Sequence, residues 1–193
     1  ARLGSKRFPN KVISELNGCP LIIFLIKRLK KCKEIDEIIL ATTNNPEDKL
    51  FSDICKKTNI KIYRGDEKDV LKRFCYASRL SKSEIIIRIT GDCPFIDPYL
   101  ISELIEEFKK KDYDYLSNCY PPTFPDGLDV EIFKKYCLEE ANSLSQKPEE
   151  REHVTPWIRN NKDFVKGALT SNKDYSHLRL TVDEPEDLEL LNR

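Results

Sequence analysis

Residues 85–94 read Ile-Ile-Ile-Arg-Ile-Thr-Gly-Asp-Cys-Pro, and the fold class follows from this decapeptide. Its isoleucine-rich part, residues 85–89, has the length and the β-branched composition of a strand buried in a parallel sheet. The turn that follows ends at Pro94, and a helix is predicted over Tyr99–Lys110 with Asp97 as its N-cap. A strand, a tight turn and a helix in this order form the repeating unit of an α/β sheet.

The same alternation precedes this unit along the chain. The predicted elements are a helix over 20–29, a strand over 38–42, a helix over 46–57, a strand over 60–63 and a helix over 67–80. Helices that alternate with short apolar strands cover both faces of the sheet that the strands form. We therefore predict a Rossmann-like, three-layer α/β fold, in which a mostly parallel mixed sheet carries helices on both faces.

The alternation breaks after residue 114. The predicted elements beyond it are strands over 115–117 and 128–132, helices over 134–145 and 149–159, a final strand over 178–182 and a terminal helix over 184–191. We interpret about 114–170 as an α/β elaboration of the main sheet, which serves as a dimerisation element or a lid. The whole of 1–193 is predicted to be a single domain, as its length allows.

The composition argues against several classes of protein. The 33 basic and 33 acidic residues give a formal net charge of zero, and a general nucleic-acid binder needs a basic excess. No apolar run approaches the ~20 residues that span a bilayer, and no signal peptide is recognisable. Seven scattered cysteines without a C-x-x-C pair favour free thiols in a reducing compartment. We expect a cytoplasmic protein with neither a nucleic acid nor a membrane as its partner.

The first eleven residues are a candidate phosphate site. In open α/β sheets ligands lie beyond the carboxyl ends of the strands, and this loop is expected there. Gly4 and Ser5 allow a tight turn whose backbone N–H groups can face a phosphate. The loop also contains four cations, Arg2, Lys6, Arg7 and Lys11. It matches neither the Walker A nor the G-x-G-x-x-G pattern, so a solvated basic terminus stays an equal alternative.

Two aspartates are candidate metal ligands. Asp92 follows the isoleucine-rich strand, and Asp183 follows the last predicted strand, so both are expected at the same edge of the sheet. Two carboxylates together with phosphate oxygens form an ordinary Mg²⁺ site. The alternatives are an Asx-turn for Asp92 and helix N-capping for Asp183. Capping suits Asp97 better than Asp92, because Asp97-Pro98 begins a helix.

A further polar set lies in the elaboration. Asp126, Asp129 and Glu131 lie in the stretch Pro-Asp-Gly-Leu-Asp-Val-Glu, and Arg151 and His153 in Arg-Glu-His-Val-Thr. Asp129 and Glu131 are predicted on the same face of one strand. Polar groups at this density can bind a hydroxyl-rich sugar, and interface salt bridges are an almost equal alternative.

The ordered set of motifs resembles a known family. Residues 1–12 are similar to the A-R-x-G-S-x-R-x-P-x-K signature of cytidylyltransferases that make CMP-activated acidic sugars. The other motifs follow in the expected order over the whole chain: Gly18-Cys-Pro-Leu-Ile22, Ala41-Thr-Thr43, Arg64-Gly65 with Asp69–Arg73, Arg88–Pro94, Pro125–Glu131, Arg151–Pro156 and Thr181–Leu188. Within the family, the chain most resembles the spore-coat polysaccharide biosynthesis protein F group.

The resemblance implies a nucleotide-diphospho-sugar transferase fold and a role for each candidate residue. Arg2, Ser5, Arg7 and Lys11 would hold the triphosphate of CTP, and Ala1, Gly4, Thr42, Arg64, Asp69 and Arg73 would complete the nucleotide pocket. Asp92 and Asp183 would bind Mg²⁺, and Asp126, Asp129, Glu131, Arg151 and His153 would face an acidic or related sugar. Arg2, Lys11 and Asp92 would be catalytic: a sugar hydroxyl attacks the α-phosphorus of CTP, and a CMP-sugar and pyrophosphate form. A homodimer is also implied.

One departure and three alternatives accompany the resemblance. The family begins with a hydrophobic strand before the Ala-Arg loop; with no methionine in the sequence, we expect that strand to be missing from it. A nucleotide-sugar pyrophosphorylase that uses another nucleotide stays possible, as does a non-catalytic sugar- or nucleotide-binding module. A glycosyltransferase of similar architecture is disfavoured, because Gly91-Asp92-Cys93-Pro94 stands where an Asp-x-Asp metal motif is usual.

Overall fold

A computed structural model describes residues 1–5 and 7–192, and its helices and strands follow the predicted alternation. The first half contains β1 (Glu15–Leu16), β2 (Cys19–Pro20), α1 (Leu21–Leu29), β3 (Ile39–Thr43), α2 (Phe51–Thr58), β4 (Lys61–Gly65), α3 (Val70–Ser78), β5 (Ile85–Arg88) and α4 (Pro98–Lys110). The second half contains β6 (Tyr115–Ser117), β7 (Glu131–Lys134), α5 (Lys135–Leu144), α6 (Pro148–His153), α7 (Pro156–Asn160), β8 (Lys166–Ala168) and α8 (Pro185–Leu191). Lys6, a cation of the predicted phosphate site, lies outside the described residues.

The strands form a mixed arrangement. Strands β3 and β4 pair in parallel, and β5, β7, β6 and β8 form a four-stranded sheet in that spatial order. Within it β6 and β8 are parallel, whereas β7 runs antiparallel to both β5 and β6. Both β6 and the antiparallel strand β7 lie within the elaboration predicted over 114–170.

Alternating side chains place helices on both faces of the sheet. Ile85 and Ile87 of β5 and Ile132 of β7 pack in one apolar cluster with residues of α1, α2 and α4. Ile86 and Phe133, which alternate with them, pack in a second cluster with residues of α3, α5 and α7. Because successive side chains of a strand point to opposite faces, the two clusters are the two sides of a three-layer fold.

An apolar slot of about 280 Å³ separates β3 from β5. Residues 38–41 line one side and residues 85–87 and 89 the other, and Leu25 and Ile105 contribute to its lining. Within the described residues, β3 has a ladder only with β4, and β5 only with β7. The slot therefore has two strand edges facing it and an apolar lining, which suit an additional extended strand. The strand expected from the resemblance stays a prediction.

Two predicted strands differ from those in the structure. The strand expected over 128–132 begins only at Glu131, because the Asn118 amide donates to Leu128 O and accepts from Val130 N, each at 2.8 Å. The segment 178–182 is extended but forms only one isolated bridge, between Asp126 and Arg179. The sequence prediction of a final strand there was wrong.

The helix predicted over 149–159 is divided into α6 and α7. Val154 adopts a positive φ of 72° at the end of α6, and Pro156 starts the next helix. Proline cannot continue a helix, since it lacks the N–H donor that the preceding turn requires. No helix among the described residues is long and apolar enough to cross a membrane.

Candidate functional site

The N-terminal loop is closed by its own backbone. Leu3 O accepts hydrogen bonds from Ser5 N at 2.8 Å and from Asn10 N at 3.1 Å, and Ser5 Oγ accepts one from Phe8 N at 3.3 Å. Gly4 is exposed at the tip of this turn. The predicted tight turn is thus present, and the side chains of Arg2 and Arg7 leave it on the solvent side.

A buried aspartate that the sequence reasoning missed anchors this loop. Asp48 is 1% exposed and accepts hydrogen bonds from Leu3 N at 2.9 Å and from Thr42 Oγ1 at 3.1 Å. Thr43 donates to the same carboxylate through its N–H and its hydroxyl. The hydroxyl of Thr42 is therefore bound to Asp48. The sequence signal was an acid two positions after Pro46, inside the helix predicted over 46–57.

The loop passes close to the turn after β5. Ala1 N donates to Ala41 O at 3.0 Å, and a Cβ atom added to Gly91 would lie 3.1 Å from the Cβ of Ala1. A side chain at position 91 would require Ala1 to shift by a few tenths of an ångström, because 3.1 Å is tighter than ordinary contact between carbon atoms. The loop is thereby held beside Asp92.

Lys11 joins the two predicted metal ligands. Its Nζ lies 3.0 Å from Asp92 Oδ2 and 2.8 Å from Asp183 Oδ1, and the side chain is 11% exposed. Arg7 makes a second contact to Asp183, at 3.0 Å, from a largely exposed position. The two carboxylates, 91 positions apart in sequence, therefore converge on one cation.

Backbone contacts bring these two carboxylates together. Val182 N donates to Asp92 O at 2.9 Å, and this hydrogen bond ties segment 178–182 to the turn after β5. Asp183 does not cap the terminal helix. Glu184 is the N-cap of α8 and forms a capping box with Asp187, so the carboxylate of Asp183 is left to face Lys11.

The aspartate pair has the chemistry of a divalent-cation site. Burial opposes ionisation of Asp92, but the Lys11 charge and hydrogen bonds outweigh it and lower the pKa of this carboxyl below its usual value. Among residues 1–5 and 7–192, no third His, Cys, Asp or Glu joins a cluster able to hold a metal. The remaining ligands of an ion here would have to be phosphate oxygens or water, as is usual for Mg²⁺.

Arginines form one wall of the site beside the N-terminal loop. Arg64 donates to Thr43 O at 3.0 Å and to Asn45 O at 2.7 Å, and Arg73 donates to Asp66 O at 2.7 Å. Arg73 is 5% exposed, and its Nε is buried without a hydrogen-bond partner in the part of the chain that the structure describes. Burial lowers the pKa of Arg73, and the nearby Arg2 lowers it further. Among residues 1–5 and 7–192, the Nε of Arg73 is the atom of these two guanidinium groups that is buried and unpaired.

Glu67, a second residue that the sequence reasoning missed, links this wall to the loop. It accepts from Arg2 at 3.3 Å and from Asn45 Nδ2 at 3.0 Å. Its sequence position, in a turn between β4 and α3, carried no distinguishing signal.

Asp69, predicted in the nucleotide pocket, and Arg151, predicted to face the sugar, form one ion pair. Arg151 donates to both carboxylate oxygens of Asp69, at 3.0 and 2.6 Å, and also to Asn142 O at 2.8 Å. Asp69 is at the same time the N-cap of α3, since it accepts from Lys72 N. These two side chains connect α6 to α3, and neither has a free hydrogen-bonding fork for a ligand.

The predicted sugar-facing residues occupy different environments. Glu131 is 3% exposed and already binds Arg88 and the Tyr115 hydroxyl, the latter at 2.6 Å. Asp129 precedes β7, where burial and the charges of Asp126 and Glu131 raise its carboxyl pKa to about 6.

Asp126 and His153 are both exposed. The backbone of Asp126 bonds to Leu178 and Leu180. His153 is the last residue of α6, and among the described side chains no hydrogen bond or ion pair joins it to Asp126 or Asp129.

Comparison with known proteins gives consistent matches over nearly the whole chain. The family model described as cytidylyltransferase matches residues 1–191. The chain is 38% identical over 193 residues to the uncharacterized protein MJ1063 of Methanocaldococcus jannaschii, covering 98% of this chain and 78% of that protein. It is 31% identical to the spore coat polysaccharide biosynthesis protein SpsF of Bacillus subtilis, covering 98% of this chain and 81% of SpsF.

A solved structure has the same fold. The structure of a cytidylyltransferase from Leptospira borgpetersenii serovar Hardjo-bovis superposes with a TM-score of 0.94 at 33% identity, covering 99% of this chain and 82% of that one. The Rossmann-like α/β architecture predicted from the sequence is confirmed.

Proposed function

Because the chain belongs to the cytidylyltransferase family, we propose that it transfers the CMP group of CTP to a hydroxyl group of an acidic surface-polysaccharide sugar. The observation that carries this proposal is the convergence of Lys11, Asp92 and Asp183 beneath the basic N-terminal loop. Phosphoryl transfer depends mainly on positioning and on stabilising charge, so it needs cations and carboxylates in this arrangement rather than a covalent nucleophile.

The nucleotide is proposed to lie along the N-terminal loop with its triphosphate toward Lys11. The side chains of Arg2 and Arg7 are 40% and 61% exposed, and they would bind phosphate oxygens. The Nε of Arg73, buried without a partner, supports the placement of an acceptor group of the ligand nearby. Arg64 and Thr42 would shape the pocket through the backbone and the Asp48 network rather than by free polar atoms.

Asp92 and Asp183 are the residues proposed to hold Mg²⁺. Both carboxylates already share one cation, so their geometry suits a single positive ion between them. When bound, Mg²⁺ would supply charge neutralisation for the triphosphate and the departing pyrophosphate. Lys11 and Arg7 would hold the phosphate oxygens in position for attack by the sugar.

The sugar is proposed to enter beside Asp126 and Asp129. Among the described residues, no ion pair engages the carboxylate of Asp129, whereas Glu131 is neutralised by Arg88. Glu131 would therefore support the wall of the sugar pocket, and Asp126 and Asp129 would bind sugar hydroxyl groups. The name of the relative SpsF, a protein of spore coat polysaccharide biosynthesis, supports a polysaccharide precursor as the substrate class.

A cytoplasmic homodimer is also proposed, with residues 114–170 at the interface. Exposed apolar side chains in this range support it: Tyr120, Tyr136, Leu144 and Val165 are all at least 41% exposed. Sedimentation velocity measures the assembly state directly, and a monomer at micromolar concentration would contradict this part of the proposal.

Ligand-induced thermal stabilisation tests the choice of nucleotide. CTP, UTP, ATP and GTP are compared, each with and without Mg²⁺. A ligand at 100 times its Kd, bound only by the folded state, adds about 2.7 kcal/mol of stability. A selective shift with CTP is expected. A preference for another nucleotide would favour a pyrophosphorylase, and no shift with any nucleotide would contradict the proposal.

A further inference from the structure

Lys11 occupies the position between the two carboxylates as a built feature of the fold. Its backbone begins the short 3₁₀ helix Lys11–Ile13, and its N–H donates to Phe8 O at 3.2 Å. The residue is 9% exposed, so its ammonium is largely removed from water. Among the described residues, Asp92 and Asp183 are the hydrogen-bond partners of that ammonium.

An ammonium and a divalent cation cannot share this position. The Nζ contacts of 3.0 and 2.8 Å join the same carboxylates that are proposed to bind Mg²⁺. Mg²⁺ approaches its oxygen ligands to about 2.0–2.1 Å, and it would repel an ammonium group held against the same oxygens. One of the two cations must leave before the other can bind both carboxylates.

We propose that Lys11 is an internal counter-ion that keeps the metal site closed until a polyphosphate binds. When the nucleotide binds, the Lys11 ammonium forms hydrogen bonds with phosphate oxygens instead of the two carboxylates. Asp92 and Asp183 are then free to bind the divalent ion. Metal binding is therefore conditional on nucleotide binding, and Lys11 sets this order. The inference rests on the proposed function only in assigning the nucleotide and the metal to this site.

The two neighbouring arginines do not meet the same requirement. Of the two aspartates, Arg7 forms an ion pair with Asp183, and its side chain is 61% exposed. Arg179 lies 3.7 Å from Asp183 but is held by Asp187 at 2.7 Å. Arg7 is therefore a matched control, because it places a positive charge beside the same aspartate without bridging the pair.

The test measures binding of Mn²⁺, as a paramagnetic substitute for Mg²⁺, to the nucleotide-free protein by electron paramagnetic resonance. Lys11→Met keeps the length of the buried stem and removes the charge. This variant is expected to bind Mn²⁺ at least tenfold more tightly than the wild type, whereas Arg7→Gln changes the affinity less than threefold. Adding Asp92→Asn to Lys11→Met is expected to abolish the gain.

A second arm adds CTP. The wild type is expected to gain at least tenfold in Mn²⁺ affinity beyond the binding of Mn²⁺ by CTP alone, and Lys11→Met to gain much less, because its site is already open. Equal Mn²⁺ affinity of the wild type and Lys11→Met without nucleotide would overturn the inference. So would a gain in nucleotide-free Mn²⁺ affinity in Arg7→Gln equal to that in Lys11→Met. Failure of the proposed function is distinguishable, since it abolishes the CTP effect on wild-type thermal stability but leaves the nucleotide-free comparison intact. Circular dichroism checks that each variant is folded.

Discussion

At the residue scale, the site consists of charges whose neighbours decide what each can do. Lys11 and Asp92 neutralise each other, whereas Asp129 sits among carboxylates. Burial raises the pKa of both carboxyl groups; at Asp92 the Lys11 charge and hydrogen bonds outweigh it, whereas at Asp129 the charges of Asp126 and Glu131 add to it. The second environment costs stability at neutral pH.

Removal of the Asp129 charge should stabilise the protein at high pH. The folded-state pKa of about 6 exceeds the reference value of 3.8, so the folded state binds more protons between these two values. Stability from this group is therefore full below about pH 4 and is lost as pH rises to about 6. The loss of folding stability is about 1–2 kcal/mol, because solvent screens the charge of this partly exposed carboxyl group.

Urea unfolding measures this effect. Asp129→Asn is expected to exceed the wild type by that amount at pH 8 and to match it near pH 4. A variant that is less stable than the wild type at pH 8 would contradict the assignment of a repulsive environment.

At the element scale, the site depends on how loops and helix ends are tied together. Segment 178–182 carries Asp183 to the site without being a strand, and its position depends on contacts with the 125–127 turn and with Asp92. Helix α3 is similarly tied to α6 by the Asp69–Arg151 pair. Both ties join the elaboration to the nucleotide side of the molecule.

Gly127 is predicted to fix the position of segment 178–182. A Cβ atom added there would lie 2.7 Å from Leu180 C and Thr181 N, at a φ of 103°. Gly127→Ala is expected to lose about 2–4 kcal/mol of stability in urea unfolding and to weaken nucleotide binding by displacing Asp183.

Gly18→Ala is the matched control, since Gly18 also has a positive φ but no atom within 4 Å of the added Cβ. It is expected to lose about 1 kcal/mol. Equal losses in the two variants would exclude the close approach as the cause.

The Arg151–Asp69 pair is predicted to position the nucleotide wall. Arg151→Ala removes the ion-pair partner of the half-buried Asp69 and loosens the start of α3. The variant is therefore expected to lose about 1–3 kcal/mol of folding stability. It should raise the KM for CTP about tenfold with little effect on the KM for the sugar. A rise confined to the sugar KM would instead support the direct sugar contact predicted from the sequence. Lys147→Ala, which removes the exposed partner of Glu150 in the same helix, should change neither the KM for CTP nor the KM for the sugar.

At the scale of the whole molecule, the sequence predicted the layers and the edge of the sheet at which the site lies. Apolar strands such as 85–89 and the helices between them are local signals, and they were enough for the α/β class. The Asn118 contacts that shorten β7, the Asp48 network and the Asp69–Arg151 pair could not be predicted, because each depends on side-chain geometry in the folded chain. Asp92 and Asp183 were paired on the expectation of a final strand over 178–182. The structure lacks that strand, and the hydrogen bond from Val182 N to Asp92 O brings the two residues together instead.

The slot between β3 and β5 predicts a stabilising strand. Its two facing strand edges and apolar lining would satisfy the backbone and side chains of an extended apolar segment. Five to six apolar β-branched residues added ahead of Ala1 are expected to raise the thermal midpoint by several degrees. A charged extension of equal length is the control, and an equal effect from both would contradict the prediction.

Pyrophosphate release is the measurement that tests the cytidylyltransferase proposal most directly. The protein is incubated with CTP, Mg²⁺ and a panel of acidic sugars, and UTP, ATP and GTP replace CTP in parallel. Release is expected only with CTP together with one sugar class, and to fall more than 100-fold in Asp92→Asn while the thermal midpoint stays near that of the wild type. Equal release with another nucleotide, or wild-type release by Asp92→Asn, would contradict the proposed reaction and its metal site.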